Sequence, residues 1–220
     1  DSYTTFTNQL RVAGREGEAL AASQNKLFAI AQRYGVQLEA VGTLYGRNAA
    51  AAKELGLSEE QQLRIVEATS AALKVSGASA QSASGALLQL SQALGGPIIQ
   101  AQEYNSLLDG ARPLLQAVAA GSDRWGGSVA KLTADVKAGK VATADFVQAL
   151  LQGSQGVIDQ AAKSTMTFSG ATTVLTNALT KFIGEMDQAS GVGQFFTGAI
   201  IGAANNLPAV TTAAAAAAAV

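Results

Sequence analysis

From Val75 to Gln102 the chain runs for 28 residues without a single charge, yet serines and glutamines at Ser76, Ser79, Gln81, Ser82, Ser84, Gln89, Ser91, Gln92, Gln100 and Gln102 interrupt its apolar text. Such a segment has no charge to hold it in water and too little apolar area to form a core of its own. It is best suited to lying between other helices.

The composition extends that reading to the whole chain. Hydrophobic residues make up 48%, but aromatics only 5% and charged residues 14%, against about 25% charged in an average globular protein. Much of the apolar content is alanine. Alanine is the best helix former because ordering it costs no side-chain entropy, but each one buries little area, so stability must come from many neighbouring helices. Three prolines leave long helices possible, and 23 glycines punctuate them. The expected class is all-α, an extended or loosely packed array of helices able to associate with its own copies.

Charge and residue types exclude several functions. Net charge is −1, and basic and acidic groups are evenly spread, so there is no clustered Lys and Arg to neutralise phosphates and no specific nucleic-acid binding is expected. Cysteine and histidine are both absent, which removes Cys/His zinc sites, Ser-His-Asp and Cys-His nucleophiles and disulfides. Carboxylates remain, but Glu59 and Glu60 read as the first turn of a helix capped by Ser58 with Gln61 as the capping-box partner. The later acids, Asp135 among them, sit singly on helical text, where solvation is the usual role. Gly139-Lys140 lacks the rest of a P-loop, and Gly191-Val-Gly193 lacks the third glycine of a dinucleotide fold. No catalytic, cofactor-binding or metal-binding residue is assigned, and no enzyme activity is expected.

Periodicity places helix after helix. Leu20, Leu27, Phe28, Ala31 and Tyr34 form one stripe that ends at Gly35; Leu38, Val41, Leu44 and Tyr45 form the next, ending at Gly56. Ser58 opens a third helix, broken at Gly77; residues 79–94 make a fourth, closed by Gly95-Gly96-Pro97. Further helices are expected over 100–109, over 112–120 with Pro113 in the first turn, and over 129–138 behind Ser128 as N-cap. Thr143 is expected to cap a run in which Phe146, Val147, Leu150 and Leu151 face inward. Trp125, the one tryptophan, reads as a cover for a neighbouring helix end rather than a stacking surface for a ligand. No segment alternates long enough to argue a sheet.

The stretch Ser79-Ala-Gln-Ser-Ala-Ser-Gly-Ala-Leu-Leu-Gln-Leu-Ser-Gln-Ala-Leu94 resembles the most recognisable part of phage tail tape-measure proteins. Lys26 to Tyr34, Leu44-Tyr45 and Leu55 to Leu63 resemble the helical repeats that precede it in that family. Glu103 to Leu108, Ala111 to Leu115, Val129 to Leu132, Gly139 to Asp145, Thr167 to Ala171 and Asn177 to Gly184 follow in the family's order. The similarity covers roughly residues 15–190. One departure is Gly95 to Gln102, which replaces the family's usual small, basic turn.

The resemblance implies a virion component inside the tail tube or tip, found in host cytoplasm during assembly, that sets tail length and aids genome ejection through the host envelope. Its implied partners are the tail tube protein, tail tip or baseplate proteins, tail assembly chaperones, the host inner membrane and further copies of itself, three at the tip. Small residues in the Ser79–Leu94 element suit close helix approach, so Ala80, Ala83, Gly85, Ala86, Leu87 and Leu90 are the candidate self-association residues.

Three regions are expected: helical repeats over 1–77, the tape-measure-like region over 78–190, and an uncharged apolar segment over 191–220. In the last, Phe195, Phe196, Gly198, Ile200, Ile201 and Gly202 are the candidate membrane contacts. Residues 192–210 reach the roughly 20 residues a bilayer span requires only if Gln194, Asn205, Asn206 and Pro208 are tolerated; an ordinary buried helix is the other reading. The run Ala213 to Ala219 is either a natural helical tail or a placeholder, and Asp1 without a preceding methionine reads as a processed or partly observed chain. Two other function classes share parts of this text: a secreted helical pore-forming or translocator protein, which needs two apolar helices of spanning length, and a cell-wall-degrading domain, which needs an acid in a glycine-turned cleft.

Overall fold

Each glycine or serine that the sequence marks as a stop or start does that work locally. In the computed structural model, which describes residues 2–190, the order is α1 (Ser2–Val12), α2 (Gly17–Tyr34), α3 (Leu38–Glu54), α4 (Glu59–Ser76), α5 (Ala80–Ala93), α6 (Ala101–Gly110), α7 (Arg112–Ala120), α8 (Val129–Lys137), α9 (Thr143–Lys163) and α10 (Phe168–Ser190). The all-α class is as expected. The Ser58 hydroxyl accepts from the Gln61 amide while the Gln61 side chain accepts from the Ser58 amide, a complete capping box. Ser79 and Ser128 accept from the amides of Ser82 and Lys131 in the same way. Helices α2 and α4 end on Gly35 and Gly77, both left-handed, the conformation that glycine adopts without steric cost.

Two details differ from the sequence reading. Residues 2–12, in which the sequence reading places no separate helix within the expected 1–77 repeats, form α1, which buries Tyr3, Phe6, Thr7 and Leu10 at helical spacing. Thr143 is not a cap: Ala142 holds the N-cap position without a side-chain bond, and the Thr143 hydroxyl donates to the Gly96 carbonyl. That bond belongs to a junction between the Gly95–Gln102 loop and the start of α9. There the Ile99 amide donates to Val141, the Thr143 amide donates to Pro97, and Ile98 bridges Ala142.

The described residues divide into two units, a compact one of Ser2–Asn177 and a second that begins at Ala178. Among the described residues of the second unit, Lys181 and Glu185 pair one turn apart along α10. The first unit is closer packed than an extended array, and helices from both sides of Gly77 share it: α4 packs on α7 and α9, and α3 on α5. Its core joins Phe6, Leu27, Leu44, Leu73, Leu90, Tyr104, Leu114, Leu132 and Phe146 in one cluster. The few aromatics are concentrated there, since Phe6, Tyr45, Tyr104, Trp125 and Phe146 are all fully buried. Alanines fill the spaces between them, with Ala31, Ala68, Ala72, Ala119 and Ala149 buried.

Small residues explain how so little apolar area per residue gives a dense core. Where α7 crosses α9, a Cβ built on Gly121 would overlap the Ala149 carbonyl, and one on Gly153 would overlap the Ala117 carbonyl. Each helix thus presents a small-x-x-x-small pair, Ala117/Gly121 and Ala149/Gly153, to the other, and the two backbones touch. Helix α3 does the same toward α1, where a Cβ on Gly46 would lie 2.9 Å from the Gln9 carbonyl and one on Gly42 would lie 2.6 Å from the Phe6 ring.

Gly121→Ala and Gly153→Ala should therefore each destabilise the protein by about 1–3 kcal/mol or more, the range for overpacking. Gly85→Ala is the control: its added Cβ meets nothing within 4 Å, so helix propensity should leave stability unchanged or raise it by up to about 1 kcal/mol. Chemical denaturation of the three variants checks this, and equal midpoints would contradict the crossing.

Candidate functional site

Three carboxylates, Glu59, Glu67 and Asp135, tie elements of the fold together. Glu59 receives Arg15 at 3.2 Å and Lys26 at 3.8 Å, and the Ser23 hydroxyl donates to it at 3.0 Å, so α2 and the loop after α1 are fastened to the start of α4. Further along α4, Glu67 receives Arg33, Arg64 and the Tyr34 hydroxyl. Burial and the Glu67 charge push the Tyr34 phenol up to about 12, so it stays a hydrogen-bond donor at any physiological pH. Arg64 also reaches Ser154 at 2.9 Å and Gln155, linking α4 to α9.

Asp135 departs from the solvated role expected of it. It accepts from the Trp125 indole at 3.0 Å and from the Arg124 guanidinium at 2.8 Å, with Arg124 also donating to the Lys140 carbonyl. Trp125 does cover a neighbouring helix, α8, and its polar edge is satisfied there. Among the described residues no group of three or more Asp and Glu is placed to hold a metal ion.

Two segments far apart in sequence meet at the α2–α3 turn. Asn177 of α10 is buried; its side-chain amide donates to the Val36 carbonyl at 2.7 Å and its oxygen accepts from the Leu38 amide at 3.0 Å. Gly35 faces Gly170 backbone to backbone, a Cβ on Gly35 falling 2.9 Å from the Gly170 Cα. From the other side, the Ser84 hydroxyl of α5 donates to Gln37 at 2.7 Å. Thr167, Gly170 and Asn177, quoted above only for their family resemblance, therefore have physical tasks: Thr167 accepts from the Gly170 amide at the start of α10, and the other two seat α10 on the turn.

The candidate self-association residues fall on two faces of α5. Ala83, Ala86, Leu87 and Leu90 are buried in the chain's own core, as the uncharged segment's need for neighbours requires; α3 and α6 supply the cover. Gly85 is exposed and Ala80 half-buried. Sequence alone places all six on closely spaced helical positions and does not distinguish a neighbour in the same chain from one in another copy. Phe168 and Leu175, one heptad apart on α10, are exposed and were not singled out by sequence. The candidate membrane residues Phe195, Phe196, Gly198, Ile200, Ile201 and Gly202 lie outside the described residues. No helix among the described residues is long and apolar enough to cross a membrane.

These features define an all-helical module in which polar side chains serve packing between helices. The family model described as tape measure protein matches residues 1–188, and the chain belongs to that family. It is a phage tail component, located in the virion tail and in contact with other tail components. No curated protein and no solved structure matches the chain.

A pH dependence follows from the Asp135 contacts. The Trp125 hydrogen bond, with the Arg124 charge, holds this carboxyl below its usual range. Its folded value thus lies below the unfolded one, about 3.9, so the contribution to stability is complete above that pH and is lost as pH falls through the depressed folded value. The stability difference between wild type and Asp135→Asn, read by Trp125 fluorescence in urea, should be constant above about pH 4 and shrink below it. Shrinkage already between neutrality and pH 5 would contradict the assignment.

Proposed function

We propose that this protein sets the length of the phage tail from inside the tail tube and then helps the genome leave through the host envelope. The family match over residues 1–188 carries the first part. Tube subunits polymerise around the protein until its far end is reached, with assembly chaperones holding it beforehand and tip or baseplate proteins anchoring one end. Copies of the chain, three at the tip, meet through small positions of α5 such as the exposed Gly85 and the half-buried Ala80, which allow close backbone approach. Phage deprived of this protein should make no tails or tails of scattered length, read by electron microscopy. Tails of uniform, normal length would remove the protein from length control.

The support for the second part is the uncharged text of residues 188–220. Covered within the tail and released when the tip opens, it would bring Phe195, Phe196, Ile200 and Ile201 to the inner membrane, each contributing roughly 1.5–3 kcal/mol on burial. A lysine at the centre of such a segment costs about 2.5–3.5 kcal/mol on insertion. Ile200→Lys phage should therefore build tails and adsorb normally but deliver less DNA. Unimpaired delivery would make residues 188–220 a packing element.

A further inference from the structure

We infer that Ser2–Asn177 sits in the assembled tail as a folded unit of fixed span, so that the distance measured by the protein is carried by residues outside it. The inference rests on the tape-measure reading and divides the chain's labour within it. As one continuous helix, the 176 residues from Ser2 to Asn177 would reach about 260 Å at 1.5 Å per residue. Folded, a unit of that size has a radius of gyration near 16 Å and spans roughly 40 Å. Adding or removing a residue inside the unit changes its span hardly at all.

The contacts that resist extension join distant parts of the sequence. The two buried bonds of Asn177 close loops of 139 and 141 residues, and Arg64 to Ser154 closes one of 90. At the α7–α9 crossing the backbones leave no room for a Cβ, so the pair fits only while the helices are docked. Stretching the unit would expose the buried face of every one of α1 to α9 and leave the polar side chains between them without their partners. The uncharged segment Val75–Gln102 is covered through α5 mainly by helices of its own chain, α3 and α6, and needs no tube wall around it.

The absence of cysteine gives a clean test. A Cβ on Gly110 lies 3.7 Å from the Ala86 Cβ, inside the roughly 3.5–4.5 Å range of a disulfide, although 24 residues separate them and a continuous helix would hold them about 36 Å apart. The full-length chain carrying Ala86→Cys and Gly110→Cys is incorporated into phage, and purified virions are oxidised alongside the isolated protein. The expected result is an intrachain disulfide in both, seen as a reducible mobility shift and by mass spectrometry. A second pair, Gln37→Cys with Ser84→Cys joined by a short bis-maleimide, reports the α3–α5 contact if the first pair disturbs folding. Cross-linking of the isolated chain but not of the virion protein, in particles of normal tail length, would overturn the inference while leaving the length-setting role intact. Cross-linking in neither would overturn it through the fold itself. Virions that lack the protein would instead defeat the tape-measure reading.

Discussion

The contact on which the rest of this fold depends is the crossing of α7 and α9, where Gly121 and Gly153 bring two backbones together. A chain with 5% aromatics cannot hold helices at ordinary separation with large side chains, because alanine and serine do not bridge the gap. Removing the Cβ at the crossing shortens the gap instead, and the small side chains around it then touch. The same solution recurs at Gly42 and Gly46 against α1. Dispersion between closely packed atoms, each pair worth about 0.1–0.2 kcal/mol, accumulates over the whole interface.

Polar groups complete what small residues begin. With little apolar area available, register is fixed by directed bonds: Glu59, through Lys26 and Ser23, and Glu67, through Arg33, align α2 with α4, Arg64 aligns α4 with α9, and Asn177 fits the first part of α10 to the turn at Val36. Truncating Asn177 would leave the buried Val36 carbonyl and Leu38 amide without their partner, which costs about 1–3 kcal/mol. Among the acids, Glu59, Glu67 and Asp135 do that work between elements.

Local events were legible in the sequence because their causes are local. Ser58 with Gln61, Gly35, Gly77, Ser128 and Pro113 each act through bonds within one helical turn, and the structure has them where the sequence put them. The inward stripe of Leu38, Val41, Leu44 and Tyr45 was equally readable from its spacing. Thr143 misled because its hydroxyl found the Gly96 carbonyl, 47 residues away, before the α9 backbone. The α5 residues were identified as contact-forming, but a buried position looks the same in sequence whether the cover comes from α6 or from another copy. Asp135 and Trp125 are ten residues apart on either side of a glycine-rich loop, and only the loop's course brings them together.

The family assigns the chain to the phage tail, and the fold adds that 176 of its residues make one closely crossed unit rather than a string of helices. Native-state hydrogen exchange on the full chain tests that claim most directly. If the account is right, the slowest amides of α4, α7 and α9 share one opening free energy, equal to that of global unfolding, and all respond together to added denaturant. Helices that exchange independently, each with its own small opening free energy, would show that they are held one by one and would contradict the close-crossed unit.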